Sequence, residues 1–447
     1  MSLMVSVSGI RGIFGTDLNP ENLARYSAAF GQWAQGGTVV VGRDSRVTGE
    51  LCERVIVASL QSVGCNVVQL GITPTPTVAM AVLKHKANGG IIISASHNPA
   101  EWNAIKMLNN KSEFLDADEG AEVLKIAESD NSYVQYDEIG SVETDDQALK
   151  YHVDAILDLA YINADAIRSA AFTVAVDAVN GAGSESIPYL LDRLGVKNVH
   201  KLHCTPNGLF PHNPEPLPEH LGEICELIKT EGADLGVITD PDADRLAFAD
   251  NNGRLFGEEY TQAAAFDFYL RHNKGDVCTN LSSSMICDFI ADKYGVKCHR
   301  SAVGEINVVK KMRKEGAVIS GEGNGGVILP DLHAGRDALL GTALMLQHMA
   351  DTGMTAAEYR DSLPNYFISK NKIQLLDINA EEALSLIKQK YANRNPDLTD
   401  GVKILFDEGW AHLRKSNTEP IIRIYTESDS MEKANAIAEE IKQAISG

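Results

Sequence analysis

The feature that most constrains this chain is an alternation that runs through about its first 350 residues. Short apolar runs with β-branched residues are each followed by an amphipathic stretch. "TVVVG" (38–42) precedes 49–63; "NVVQLG" (66–71) precedes 77–86; "IIIS" follows at 91–94. The pattern restarts at "FTVAVDA" (172–178), with a predicted helix near 184–194 and strands near 198–202 and at 233–240. It restarts again at "DVCTNL" (276–281), with helices near 284–293 and 305–314 and a strand at 317–320. Such strand–helix–strand units pack as parallel βαβ layers. From about 364 the order changes to strand, helix (379–390), strand (402–406), strand (410–414), strand (421–426) and helix (430–444). That order predicts a smaller α+β domain with a mostly antiparallel sheet. The acidic stretch 113–148 reads as the loosest segment, leading into the second domain.

With 447 residues, the chain is long for one core and fits about three or four domains. No apolar run approaches the roughly 18 residues that span a bilayer, and the N-terminus lacks the pattern of a secretory signal. The seven cysteines are scattered, odd in number and without a CxxC pair, as expected of reduced thiols in the cytoplasm. The formal net charge of −21 disfavours nucleic acid and anionic membranes as partners. Any anion this chain binds must be gripped by a local set of Arg, Lys and backbone N–H groups.

Five loops offer such chemistry. "SGIRG" (8–12) sets Arg11 between glycines, a guanidinium fork suited to phosphate. "SASHNP" (94–99) ends a buried strand on Ser96, His97 and Asn98, and Lys106 follows ten residues after Ser96. Ser96 in that place can be a nucleophile, a phosphoryl carrier or a cap. Lys106 can return to the loop as a charge or an acid–base group. "TDPDADR" (239–245) alternates Asp240, Asp242 and Asp244. In extended chain that spacing puts three carboxylates on one side, which calls for a hard cation. An EF-hand is excluded, since its glycine and glutamate positions hold Arg245 and Asn251. Three carboxylates with room for a phosphate oxygen suit Mg²⁺, and Arg245 beside them suits a transferring phosphoryl group. "GEGNGG" (321–326) places Glu322 and Asn324 on a predicted exposed turn, where they can grip sugar hydroxyls, with His333 and Arg336 after them. "RKSNTEP" (414–420) gathers Arg414, Lys415, Ser416, Asn417 and Thr418, with Arg423 nine residues beyond Arg414, a donor set fit for a phosphate.

Taken in order, these loops resemble those of the α-D-phosphohexomutase family, and the likeness spans essentially the whole chain. "SASHNP" is similar to its phosphoserine loop, "DPDADR" to its metal loop, "GEGNGG" to its sugar loop and "RKSNTEP" to its distal phosphate loop; "VGRDSR", "GITPTP", "VDAVNGAG" and "NPEP" also resemble family segments. The resemblance implies three mixed α/β domains of similar topology (1–149, 150–251, 252–363) and a smaller C-terminal α+β domain (364–447) around a central cleft. It implies that Ser96 carries the phosphoryl group and that Ser96, Asp240, Asp242 and Asp244 hold Mg²⁺. Arg11, His97, Lys106 and Arg245 would line the transfer site. Glu322, Asn324, His333, Arg336, Arg414, Lys415, Ser416, Asn417, Thr418 and Arg423 would bind substrate. The expected partner is a small sugar phosphate, with hexose 1,6-bisphosphate as intermediate and activator, in a monomer or homodimer.

Three departures stand out: Asn324 where many relatives have Ser, Ala104 where Gly is common, and Lys415 with Asn417 for the usual Pro and Gly. The "GEGNGG" form resembles an archaeal-like branch assigned to phosphoglucosamine. Alternatives are a phosphoglucomutase/phosphomannomutase of broad specificity, a metal-dependent sugar phosphatase and a silent sugar-phosphate sensor. The distal phosphate loop argues against the phosphatase, and the intact Ser96, Lys106, Arg245 and Asp trio against the sensor.

Overall fold

The computed structural model describes residues 3–6, 9–129, 132–374, 379–415 and 421–446. The chain divides into two compact units, Met1–His272 with Asn324–Arg360 and Asn273–Gly323 with Asp361–Gly447.

The first unit begins with a seven-stranded sheet. Its strands are β1 (Met4–Ser6), β2 (Gly9–Ile13), β3 (Thr38–Arg43), β4 (Asn66–Ile72), β5 (Gly89–Ile93), β6 (Trp102–Asn109) and β7 (Val142–Thr144), in the order β1-β2-β6-β5-β3-β4-β7. The central strands are apolar without interruption because both faces are covered. Val39, Val41, Ile91 and Ile93 enter one core, under the helices Pro20–Trp33, Gly49–Gln61 and Ala117–Glu128. Val40 and Ile92 enter the other, with Val78, Ala81 and Val82 of the helix Thr75–Lys84. Each such buried Val or Ile side chain contributes about 1.5–3 kcal/mol.

A second sheet follows, with β8 (Thr173–Asp177), β9 (Asn198–Leu202), β10 (Leu235–Thr239) and β11 (Leu246–Asp250) in the order β11-β10-β8-β9. Its parallel strands β8, β9 and β10 are joined by helices, as the alternation predicts. Neither sheet is wholly parallel, however. β6 runs antiparallel to both β5 and β2, and β11 antiparallel to β10. The reason lies in the connections: 94–101 and 240–245 are too short for a crossover and can join only antiparallel neighbours. These are the serine loop and the aspartate loop.

The acidic stretch 113–148 is more ordered than its composition suggests. Asp116 caps the helix Ala117–Glu128 in a reciprocal box with Glu119. Leu115, Val123 and Ala127 are buried in the first core, and β7 pairs with β4. An apolar stripe inside an acidic segment suffices to dock it.

The remainder of this unit contributes β15 (Gly326–Leu329) and β16 (His333–Arg336), an antiparallel pair, and the long buried helix Ala338–Thr352. In the second unit, β12 (Val277–Asn280) pairs in parallel with β13 (Cys298–Ser301) and β14 (Ile319–Glu322). Strand β14 starts two residues later than the sequence reading and runs on to Glu322. The C-terminal part of this unit is an antiparallel sheet, β17 (Phe367–Gln374), β18 (Val402–Phe406), β19 (Gly409–Lys415) and β20 (Ile421–Ser428), in the order β17-β20-β19-β18. Residues of the helices Ala380–Lys390 and Met431–Ser446 share its core.

Within this second unit Lys403 is buried, its Nζ donating to Leu281 O at 2.6 Å and lying 4.3 Å from the Trp410 ring centre. Burial, then the Arg300 charge, pushes its ammonium down to about 7. An unfolded lysine titrates near 10.4. The linked stability is therefore present above about pH 10.4 and is lost as pH falls towards 7. Lys403→Met should flatten the dependence of unfolding free energy on pH between 7 and 10, measured by urea titration. An unchanged slope contradicts the assignment.

Candidate active site

The site in the first unit is built from the two short loops. Strand β5 ends at Ile93, and Ser96 then takes φ +50°, a left-handed conformation that costs a residue with a side chain about 1–2 kcal/mol. Arg46 holds it there. This fully buried guanidinium donates to Ser96 O (2.6 Å), Asn98 O (2.7 Å), Pro99 O (2.6 Å), Trp102 O (3.1 Å) and Asp44 Oδ2 (3.0 Å). All five of its N–H donors are thus used. With the loop carbonyls drawn to one side, the Ser96 hydroxyl donates to Asp240 Oδ2 at 2.8 Å.

The aspartate loop is a turn rather than the extended chain expected from its spacing. Ala243 sits at φ +50°, and the backbone is tied down by Thr75 N donating to Asp242 O at 2.9 Å. The three carboxylates converge nonetheless, with an oxygen from each of Asp240, Asp242 and Asp244 within 4.8 Å of the others, all buried.

Lys106 reaches this cluster from β6, opposite Ile92 in the ladder. Its Nζ is 2.5 Å from Asp242 Oδ2 and 3.7 Å from Asp244 Oδ2. Thr75 Oγ1 also donates to Asp242 Oδ2, and Arg336 Nη2 pairs with Asp244 Oδ2 at 2.6 Å. Arg245 donates from its backbone to Asp240 Oδ1 (3.1 Å) and from its side chain to Glu215 (3.2 Å). Arg11 donates to Asn98 Oδ1 at 2.7 Å. Its strand comes close to β6 because residue 9 is glycine: a Cβ there would lie 2.2 Å from Ile105 O.

The charges set the proton affinities. Burial, then the charges of Asp244 and Asp242, raises Asp240 well above the usual carboxylate range. Burial would raise Asp242 too, but Lys106, with Thr75, holds it well below that range. Burial opposes the charged form of Lys106, yet Asp242 and Asp244 outweigh it and raise its pKa. His97, 3.4 Å from Ser96 Oγ, is pushed down to about 2 by burial and by Arg245, Arg11, Lys106 and Arg336. It is a neutral ring at working pH.

The donor set fits a hard divalent cation. Among the described residues Asp242 Oδ1 and Asp244 Oδ1 are buried without any hydrogen-bond partner, and a cation is what such oxygens accept.

Other expected residues fall elsewhere. Glu322 is the last residue of β14 and is buried. Its Oε1 accepts from Asn280 Nδ2 (3.1 Å) and Gly304 N (3.3 Å), so it is not on an exposed turn. Asn324 caps its own turn, accepting from Gly326 N at 3.3 Å. His333, expected at the substrate, is buried instead, with Nε2 3.1 Å from Asp337 Oδ2, which His152 also meets at 2.8 Å. Arg336 is engaged with Asp244 rather than placed for a sugar.

In the second unit Arg414 and Arg423 stand directly opposite one another on β19 and β20. Like charges so placed repel, and Arg414 Nε is buried without a hydrogen-bond partner among the described residues. That arrangement suits an anion between them. Lys415 is exposed at the end of β19; Ser416, Asn417 and Thr418 lie outside the described residues. Sequence reasoning overlooked Arg46, Thr75 and Glu215. Arg46 had a signal, an arginine in "VGRDSR" just past a buried strand, but its role depends on carbonyls some fifty residues away.

Serine, paired acids and cations on loops of mixed α/β sheets define a phosphoryl-transfer class of site. The whole chain matches the four phosphoglucomutase/phosphomannomutase domains: α/β/α domain I over residues 3–134, domain II over 150–253, domain III over 257–367 and the C-terminal domain over 373–444. A protein of Thermococcus kodakarensis named "Phosphoglucomutase/phosphomannomutase" is 38% identical over 98% of this chain and 97% of its own length. A "Phosphoglucosamine/phosphogalactosamine mutase" of Sulfurisphaera tokodaii is 31% identical over 100% of both chains. A solved phosphoglucomutase/phosphomannomutase family protein of Burkholderia thailandensis shares the fold, with TM-score 0.86 at 24% identity over 99% of this chain and 98% of that one. The chain belongs to the phosphoglucomutase/phosphomannomutase family. It is a hexose-phosphate mutase, an intramolecular phosphotransferase.

Arg46→Met leaves Asp44 buried without its partner and frees the loop carbonyls. It should cost about 3–5 kcal/mol of stability, with loss of activity, measured by guanidinium unfolding alongside turnover. A loss under 1 kcal/mol would show that other groups hold the loop.

Proposed function

We propose that this chain interconverts hexose 6-phosphate and hexose 1-phosphate through phospho-Ser96 and a hexose 1,6-bisphosphate, with glucosamine phosphate the preferred pair. The observation that carries the reading is the Ser96 hydroxyl, held on strained backbone 2.8 Å from Asp240 at the edge of a buried carboxylate cluster. In the forward direction, O6 of a hexose 1-phosphate attacks phosphorus on Ser96, and the bond from phosphorus to Oγ breaks as the bond to O6 forms. Lys106 supplies a proton to the departing serine oxygen, and the proton that O6 sheds returns to the Lys106 amine. The bisphosphate then presents its other phosphate, and Ser96 Oγ takes that group back, leaving the hexose 6-phosphate.

Arg11, His97 and Arg245 contribute positive charge and neutral donors around the transferring group. Arg414 and Arg423 hold the phosphate that is not reacting. Mg²⁺ on Asp240, Asp242, Asp244 and the Ser96 phosphate would draw charge from the phosphoryl oxygens. Catalysis is then mainly positioning and charge neutralisation. Free hexose 1,6-bisphosphate would reload a serine that has lost its phosphoryl group.

The preference for an amino sugar rests on Glu322, a carboxylate suited to an ammonium at C2, and on the name of the Sulfurisphaera relative. The Thermococcus relative's name favours glucose and mannose phosphates instead. Comparing kcat/KM for the 1-phosphates of glucosamine, glucose and mannose separates the two. Glu322→Gln should lower kcat/KM for glucosamine phosphate roughly tenfold to a hundredfold and affect glucose phosphate less. Equal losses would leave the broad specificity. Ser96→Ala should bring all three sugars below detection, while wild-type turnover in that variant contradicts the mechanism.

A further inference from the structure

We infer that Asp177, His203 and His212 form a second divalent-metal site, of nitrogen-rich, zinc-like type, that fastens the loop 203–213 against the serine loop's support. Asp177 is the last residue of β8 and is buried. Its Oδ1 accepts from Val179 N at 3.0 Å, which fixes the carboxylate. Its Oδ2 lies 3.2 Å from His203 Nδ1 and 3.2 Å from His212 Nε2. The three ligand atoms all fall within 4.8 Å of one another. Metal–ligand bonds of about 2.0–2.1 Å in a tetrahedron give ligand–ligand edges of about 3.3 Å.

The remote ring nitrogens carry the argument further. His212 Nδ1 is 2.8 Å from Asn213 O, and His203 Nε2 is 3.4 Å from Glu223 Oε2. Each remote nitrogen thus faces an oxygen acceptor. Asp177 Oδ2 hydrogen-bonds both near nitrogens, and a divalent ion taking the place of the protons there would find two nitrogens and one oxygen already converged. An imidazole whose far nitrogen donates to a carboxylate or carbonyl is the usual outer arrangement of a metal-binding histidine. Both histidine side chains keep about one-seventh of their surface exposed (15% and 14%), enough for an ion to enter. His203 itself sits at φ +49°, a strained setting that brings its ring to Asp177.

The donor chemistry separates this cluster from the Asp240 trio. Three carboxylates suit Mg²⁺; two imidazoles and one carboxylate suit Zn²⁺, Co²⁺ or Ni²⁺. The loop it would fasten does structural work. Phe210 lies over the Arg46 guanidinium at 5.0 Å. Gly208, at φ +71°, approaches so closely that a Cβ would lie 2.3 Å from Ser45 O. Asn180 accepts from Ser45 Oγ at 2.6 Å and donates to Leu209 O at 2.9 Å. Just beyond the loop, Glu215 receives Arg245. A metal here would hold the parts that press on Arg46 and hence on the Ser96 loop.

The test uses the full-length chain stripped of metal and then kept in saturating Mg²⁺, which fills the carboxylate trio. Co²⁺ is titrated and its visible d–d absorption followed. One equivalent should develop the strong band of four- or five-coordinate Co²⁺ with nitrogen ligands, displaced by Zn²⁺, and Zn²⁺ should raise Tm. His212→Ala should abolish the band, and Glu223→Gln should weaken Zn²⁺ about 10–100-fold. Glu223 is largely exposed, so this variant keeps the measurement usable if His212→Ala does not fold. A wild-type chain that gives no such band in Mg²⁺, or a band equally strong in His203→Ala and His212→Ala, overturns the proposal.

Discussion

The first unit's chemistry depends on one buried guanidinium. Arg46 spends every donor it has, four on the carbonyls of residues 96 to 102 and one on Asp44. A loop with four of its carbonyls, those of Ser96, Asn98, Pro99 and Trp102, turned to one cation cannot relax into an ordinary turn. That constraint is what allows Ser96 to keep a left-handed backbone and present its hydroxyl towards Asp240. A lysine, with three donors and no planar fork, could not meet the same five acceptors. Arg46 is itself covered by Phe210, so the Ser96 geometry is supported from the second sheet as well as the first.

Around this anchor the molecule solves a charge problem. A chain of net charge −21 has to receive anions where three aspartates already meet. Within the first unit, Lys106 and Arg336 pair with Asp242 and Asp244, while Arg11 and Arg245 add positive charge beside the serine. Burial and the same cations keep His97 neutral. Two carboxylate oxygens stay unsatisfied, which leaves the cluster ready for a divalent ion. In the second unit Arg414 stands opposite Arg423 on neighbouring strands, a like-charge pair whose repulsion an anion would relieve.

Much of this was legible in the sequence because the informative residues lie on local patterns. Uninterrupted runs such as Ile91–Ile93 are read from hydrophobicity alone, and both faces are in fact buried. Ser96 and the Asp trio stand out because each directly follows such a run. What was misread depends on contacts remote in sequence. The sheets are mixed, as the resemblance implies: β5–β6 and β10–β11 run antiparallel because their connections are short, which periodicity alone does not show. Glu322 looks exposed among glycines, but the Asn280 and Gly304 segments cover it. His333 looks like a ligand residue until His152 and Asp337 enclose it. Arg46 drew no reading from the sequence, because its role depends on loop carbonyls about fifty residues away.

The central claim is that Ser96 carries the phosphoryl group. The direct measurement is to incubate the Mg²⁺-replete chain with glucose 1,6-bisphosphate, quench in acid and map the phosphorylated peptide by tandem mass spectrometry. The account predicts a single phosphoryl group, on Ser96, and its loss to added hexose monophosphate. A chain that turns over substrate with the phosphoryl group on another residue, or with none on the protein, contradicts it.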